Sequence, residues 1–180
     1  MRNLLYGANI KLTAMKESDM EIMECWFNDV GFLRYYDMIP ALPKSKKDMV
    51  SLFDYYETSD ERYLFAIRHI DSEDIIGVIG FDDIIWSNGV ATVFIGIGDK
   101  RYAGKGLGKE ALNLLLDFGF HELNFYRIQL NVIAYNEGAI KLYENAGFKK
   151  EGTFREFINR DGKRHDMFLY GLLRGEWHSS

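Results

Sequence analysis

Blocks of apolar and polar positions divide the chain into recognisable elements. "NIKLTAM" reads as a short first strand. Ile22, Met23, Trp26 and Phe27 then recur at helical spacing, which predicts a helix with those side chains buried. Ser18 followed by Glu21 has the form of a capping box at its start. A second helix is expected over Lys46 to Tyr56, and "DMIPALPKSKK", which holds Pro40 and Pro43, reads as the connection between the two.

From Arg62 the period shortens to two. "RYLFAIRHI" places Tyr63, Phe65 and Ile67 at alternate positions. "DIIGVIGFDDIIW" and "VATVFIGIG" follow, parted by the turn signal "SNG", and the three predict consecutive antiparallel strands. A helix then presents Leu107, Ala111, Leu114, Leu115 and Phe118 on one face. "YRIQLNVI" is a strand reached across that helix, so it is expected to lie parallel to the strand before it. Asn136 is placed to cap a short helix through Tyr143, with Gly147 as its left-handed terminator. "EFINRDGKRHDMFLYGLL" predicts two strands around an Asp161-Gly162 hairpin turn. The sum is an α+β fold with a mixed, largely antiparallel central sheet of about seven strands flanked by about four helices.

Composition narrows the function classes. The length of 180 residues fits a single domain, 1–180, able to bury a core without disulfides or metals. Cys25 is the only cysteine, which excludes an internal disulfide framework. Its place beside Trp26 and Phe27 predicts a buried thiol and argues against a transferase that works through an acylated cysteine. His69, His121 and His178 show no ligand spacing, so no metal is expected. A net charge of −5 without a dense Lys/Arg cluster argues against a nucleic-acid partner. "MRNLLYGANIKL" lacks a signal-peptide core, and no stretch nears the roughly 20 apolar residues of a membrane span. A cytoplasmic location with no membrane partner is the expectation.

The sharpest feature is "YAGKGLGKEALNLLLDFGF", which begins at Tyr102. A glycine loop between a strand and a helix start offers unpaired backbone N–H groups and a positive helix end to an anion. Two nucleotide motifs fail there. The Walker A pattern needs a hydroxyl after Gly108-Lys109, and Glu110 follows instead; the dinucleotide fingerprint needs glycine where Lys109 stands. "YAGKGLGKEAL" followed by "NEGAIKLYENAGF" resembles the acetyl-CoA-binding core of the GNAT superfamily of N-acetyltransferases. The element order agrees along nearly the whole chain. The ending "EGTFREFINRDGKRHDMFLYGLL" resembles the branch that holds spermidine N-acetyltransferases and the RimJ/RimL-type enzymes, which acetylate ribosomal-protein N-termini.

The resemblance implies an enzyme that moves an acetyl group from acetyl-CoA directly to a primary amine, whether a polyamine, a protein N-terminus or another small molecule. It assigns the pyrophosphate cradle to Ala103, Gly104, Lys105, Gly106, Leu107 and Gly108, and the pantetheine arm to the strand end at Ile97, Gly98 and Asp99. The family splays this strand from the next one, and the arm lies in the gap. Asn136 is assigned either to the arm or to the cap of its own helix, and Tyr143 to the departing thiolate. A tyrosine with a pKa of roughly 10 is neutral at pH 7 and can give its proton to sulfur.

Two positions depart from the family pattern. Ala103 replaces a polar side chain, for which Arg101 is a candidate substitute, and Val93 stands where many relatives carry a basic glutamate. Asp82 and Asp83 are the remaining carboxylates for attracting or deprotonating an amine, with Asp83 the chosen candidate and a strand-end turn the plainer reading; His165 is a weaker one. The alternative function is a non-catalytic acetyl-CoA-binding regulatory module. The acceptor is expected to meet "GFLRYYDMIPALP", where Tyr35 and Tyr36 suit a cation, a peptide or a second subunit of a homodimer.

Overall fold

The computed structural model describes residues 3–178. Seven strands, β1 (Ile10–Thr13), β2 (Tyr63–His69), β3 (Ile75–Ile85), β4 (Val90–Ile97), β5 (Arg127–Ile133), β6 (Lys149–Arg160) and β7 (Lys163–Leu173), make one sheet in the order β1-β2-β3-β4-β5-β7-β6. Every pairing is antiparallel except that of β4 with β5. The α-helices of the described residues are α1 (Asp19–Phe27), α2 (Val30–Tyr36), α3 (Lys46–Glu57), α4 (Leu107–His121) and α5 (Glu137–Asn145).

Helices cover both faces of the sheet. Ile79 and Phe81 of β3 join the core under α4, while Ile75 and Val78 join Met20, Met23 and Met49 of α1 and α3. Burial on both faces explains why β3 is almost continuously apolar in its first half. The Asp161-Gly162 turn has φ of 53° and 71°, the left-handed pair that a two-residue hairpin requires. Gly147 ends α5 at φ 97°, as its position predicted.

Four expectations change. α2 forms inside a stretch with no periodic signal; the Asp29 carboxylate caps it by accepting the N–H groups of Gly31 and Phe32 at 2.8 and 3.3 Å. Ser18 makes no side-chain cap. Asp19 pins the start of α1 instead, accepting the Lys16 N–H at 2.7 Å and taking the fully buried Arg68 guanidinium in two bonds of 2.7 and 3.0 Å. A capping box closes the start of α3 instead, between Ser45 and Asp48. Ile22 and Cys25 both face outward, because Met20, Met23, Trp26 and Phe27 supply the buried stripe of α1.

α4 is buried on more than the one face read from its periodicity. Leu112, Leu116 and Phe120 are covered as well, with Phe120 beside the Trp177 ring of the C-terminal segment at 6.4 Å. No helix among the described residues is long and apolar enough to cross a membrane.

Candidate active site

β4 and β5 part along their length. Their ladder joins only Val90–Thr92 to Arg127–Gln129, while β4 runs on to Ile97. A cleft of about 1120 Å³ opens at this divergence and reaches from the glycine loop to α2 and α3. Just past the end of β4, the Gly98 N–H donates to Ile76 on the β3 side at 3.1 Å. Backbone polar groups alternate between the two edges of a strand, so those of Ile95 and Ile97 face the gap. Both residues line it.

Gly98 and Asp99, expected to serve the pantetheine arm, stand outside the cleft wall. Both of their N–H groups donate to the Ile76 carbonyl, and the Asp99 carboxylate holds Arg101 at 2.6 Å. Arg101 is thereby engaged away from the cleft and does not replace the side chain that Ala103 lacks. A Cβ at Gly98 would sit inside the ring of Trp26, and one at Gly96 against Tyr36. These two glycines admit aromatic rings of α1 and α2 against β4.

The loop glycines have a different cause. Gly104 and Gly106 have φ of 72° and 80°, and a side chain at either would meet no protein atom within 4 Å. Left-handed backbone demands glycine, and the space in front of both is open. α4 starts at Leu107 with Gly106 as an N-cap that has no side chain to offer, and Glu110 is the first residue whose N–H bonds back, to Gly106 at 3.2 Å. The N–H groups of Leu107, Gly108 and Lys109 therefore have no intrahelical partner. Ala103, Gly104, Gly106 and Gly108 line the cleft, as does Lys109. Leu107 sends its side chain into the core, Lys105 lies over the Tyr102 ring at 5.5 Å, and the Ala103 N–H is taken by Lys100 at 3.3 Å. An uncapped helix start beside open space fits a pyrophosphate.

Across the gap, Asn136 uses its side chain twice. Its Oδ1 caps α5 by accepting the Ala139 N–H at 3.2 Å, and its Nδ2 donates to the Tyr35 carbonyl at 3.1 Å, joining α5 to α2. Tyr143, seven positions on, is 6% exposed and packs edge-on to Phe148 at 5.8 Å. Its hydroxyl has no hydrogen-bond partner among the described residues, and the side chain lines the cleft. Burial pushes its pKa well up, so it holds its proton.

The far end of the cleft is a wall of tyrosines and aspartates that periodicity could not assemble. Asp82 is half-buried; its Oδ2 accepts the Tyr56 hydroxyl at 3.0 Å, and burial pushes its pKa up. Asp83, the carboxylate chosen from sequence, is exposed at the rim in left-handed backbone, φ 49°, where the β3–β4 register slips. Tyr36 lies within electrostatic reach of Asp37, Asp82 and Tyr143, so the wall continues to the buried phenol. Val93 is buried and lines the cleft without a polar group. His165 packs against Tyr135 at 5.1 Å, and neither His165 nor Cys25 is part of the wall.

The hairpin tip braces this end. Arg160 Nη2 donates to the carbonyls of Asp37, Met38 and Ile39 at 3.2, 3.4 and 3.0 Å, and Asp161 pairs with Arg34.

Comparison with known proteins agrees with this geometry. A model of the acetyltransferase (GNAT) domain matches residues 9–149. The chain is 36% identical over 176 residues to a probable N-acetyltransferase of Bacillus subtilis, YjcK, covering 94% of this chain and 97% of the relative. It is 27% identical over 168 residues to the spermidine N(1)-acetyltransferase of Escherichia coli K12, covering 92% and 82%. The structure of spermidine N-acetyltransferase from Vibrio cholerae in complex with CoA and spermine superposes with a TM-score of 0.85 at 23% identity, over 93% of this chain and 96% of that one. The shared sheet, the loop and the extent of the domain match together establish that this chain belongs to the GNAT acetyltransferase family.

Proposed function

We propose that this acetyl-CoA-dependent N-acetyltransferase acts on a cationic primary amine that enters between α2 and α3. One observation carries the reading: a single cleft joins the glycine loop, the open edge of β4, the unpartnered Tyr143 hydroxyl and a wall of aspartates and tyrosines.

The first amides of α4 and the open space before Gly104 and Gly106 support pyrophosphate binding. The edge of β4 at Ile95 and Ile97 supports strand-like hydrogen bonding to the pantetheine arm. The bound donor supplies an activated acyl carbon. Tyr143 supplies a proton to the departing sulfur, and its apolar surroundings keep water from competing. Asp37, Asp82 and Asp83 draw a cation to the mouth, and the Tyr35 ring offers it a π face, while the Tyr55 ring is already covered by the Arg62 guanidinium at 3.8 Å.

The test is thiol release from acetyl-CoA with polyamines, aminoglycosides and peptide N-termini. At least one cationic amine is expected to raise release well above hydrolysis. Tight acetyl-CoA binding in calorimetry, with no amine raising the rate, would replace this reading with that of a regulatory binding module.

A further inference from the structure

An ammonium group must lose a proton before its nitrogen can attack, and a lysine-like amine with a pKa near roughly 10 holds it firmly at pH 7. The cleft is lined by four carboxylates, Asp37, Asp48, Asp82 and Asp83. Asp48 is committed to the cap of α3, accepting the N–H and the hydroxyl of Ser45 at 2.7 and 2.8 Å. Asp37 turns back on its own loop and accepts the N–H of Met38 at 2.6 Å and of Ile39 at 3.4 Å. Asp83 stands exposed at the rim, where water screens it. Asp37 and Asp82 are both half-buried with one oxygen that has no partner among the described residues, Oδ2 and Oδ1 respectively. Of the two, only Asp82 stands on the sheet and is held by a side chain of another element, Tyr56 of α3.

We propose that Asp82 is the proton acceptor for the attacking amine, and that Tyr56 is the positioning residue that aims it. The inference rests on the acetyltransfer reading and adds the base to it. Asp82 sits on β3 opposite Thr92, one register step from the apolar Val93. Its Oδ2 is fixed by the Tyr56 hydroxyl, which leaves Oδ1 as the free oxygen toward an entering amine. The groups facing it are Tyr56 from α3, Tyr36 and Asp37 from the α2 end, Arg62 before β2, and Asp83 beside it. Burial and the two neighbouring aspartates raise its proton affinity, while Arg62 and the Tyr56 hydrogen bond oppose them.

The proton account closes. Asp82 takes one proton from the ammonium, and the freed lone pair forms the C–N bond. The C–S bond breaks with its electrons on sulfur, which takes the phenolic proton of Tyr143. The second nitrogen proton restores Tyr143, and Asp82 releases its own to solvent, so the net products are the amide, the free thiol and one proton.

The experiment compares wild type, Asp82→Asn and Tyr56→Phe with spermidine and a free-N-terminus peptide, recording kcat, both KM values and their pH dependence. Asp82→Asn is expected to lower kcat at pH 7 by about 100-fold or more and to regain about tenfold per pH unit as the amine deprotonates unaided. Tyr56→Phe should lower kcat less and shift the acidic limb of its pH profile, with acetyl-CoA affinity within about twofold of wild type in both variants. A raised amine KM with unchanged kcat and pH profile in Asp82→Asn would reduce the residue to attraction and overturn the proposal. Absence of wild-type turnover with either amine would remove the function for those amines and this role with it.

Discussion

Glu110, in the first turn of α4, grips Asn9 at the entry to β1. Its carboxylate accepts the Asn9 backbone N–H at 2.8 Å and the Asn9 side-chain amide at 3.0 Å, with the Ile10 N–H at 3.4 Å. The residue that denies the loop a magnesium-binding hydroxyl thus ties it to the edge strand. Burial pushes the Glu110 carboxyl up, but these N–H groups outweigh it and hold it below the usual range. A carboxyl lowered in this way contributes stability above its unfolded pKa of roughly 4.3 and loses it as pH falls through the lower folded value. Glu110→Gln should therefore cost about 1 kcal/mol at pH 7, and the difference from wild type should close under acid, as read from urea midpoints at both pH values.

Asp19 and Arg68 make the opposite case, an ion pair sealed in the α1 side of the core. Asp19→Ala strands the guanidinium and is expected to cost about 3–5 kcal/mol in urea unfolding. Replacing both partners with apolar residues of similar volume should recover most of that loss.

The glycines separate by the property that each substitution disturbs. Gly98→Ala forces a methyl into Trp26 and should lower stability by about 1–3 kcal/mol. Gly106→Ala meets no protein atom but strains a φ of 80°, which predicts a loss of about 1 kcal/mol. In calorimetry, Gly106→Ala should also weaken acetyl-CoA binding by about tenfold, equivalent to about 1.4 kcal/mol.

Tyr143→Phe keeps the ring against Phe148 and removes only the hydroxyl. Turnover should fall by about 100-fold while acetyl-CoA affinity changes by less than about twofold. Because burial holds the phenol protonated, wild-type kcat should show no loss from Tyr143 ionisation up to about pH 10. Unchanged turnover in the Phe variant would remove Tyr143 from the mechanism.

Local chemistry announced most of the fold. The hairpin turn at Asp161-Gly162, the terminator Gly147 and the strand from Tyr63, whose Tyr63, Phe65 and Ile67 share one core face, each depend on neighbours in sequence, and each formed as read. The helix α2 was hidden because seven residues carry too little periodicity. Ser18 makes no cap because its own backbone is already helical, φ −63° and ψ −20°, while Glu21 pairs with Lys46, 25 positions away. The loop glycines were legible from their spacing. Of the strand residues that face the gap, Ile97 was named with Gly98 and Asp99 and Ile95 was not, because which edge an amide faces depends on pairing with Ile76. Gly98 looked like a ligand contact and instead makes room for Trp26. The partnership of Tyr56 with Asp82 joins residues 26 apart on different elements, and no spacing rule predicts it.

In the proposed reading the two ends of the cleft hold different molecules, and the three carbonyl bonds of Arg160 brace only one of those ends. The end proposed for the donor is written by one continuous tract, the end of β4 through the start of α4, with α5 opposite. The other end is shaped by residues 37–39 under the grip of a hairpin tip more than 120 positions downstream. On that reading, a change in the length or charge of that tip would recontour the end proposed for the acceptor and leave the glycine loop untouched, so the range of amines admitted would shift separately from acetyl-CoA binding.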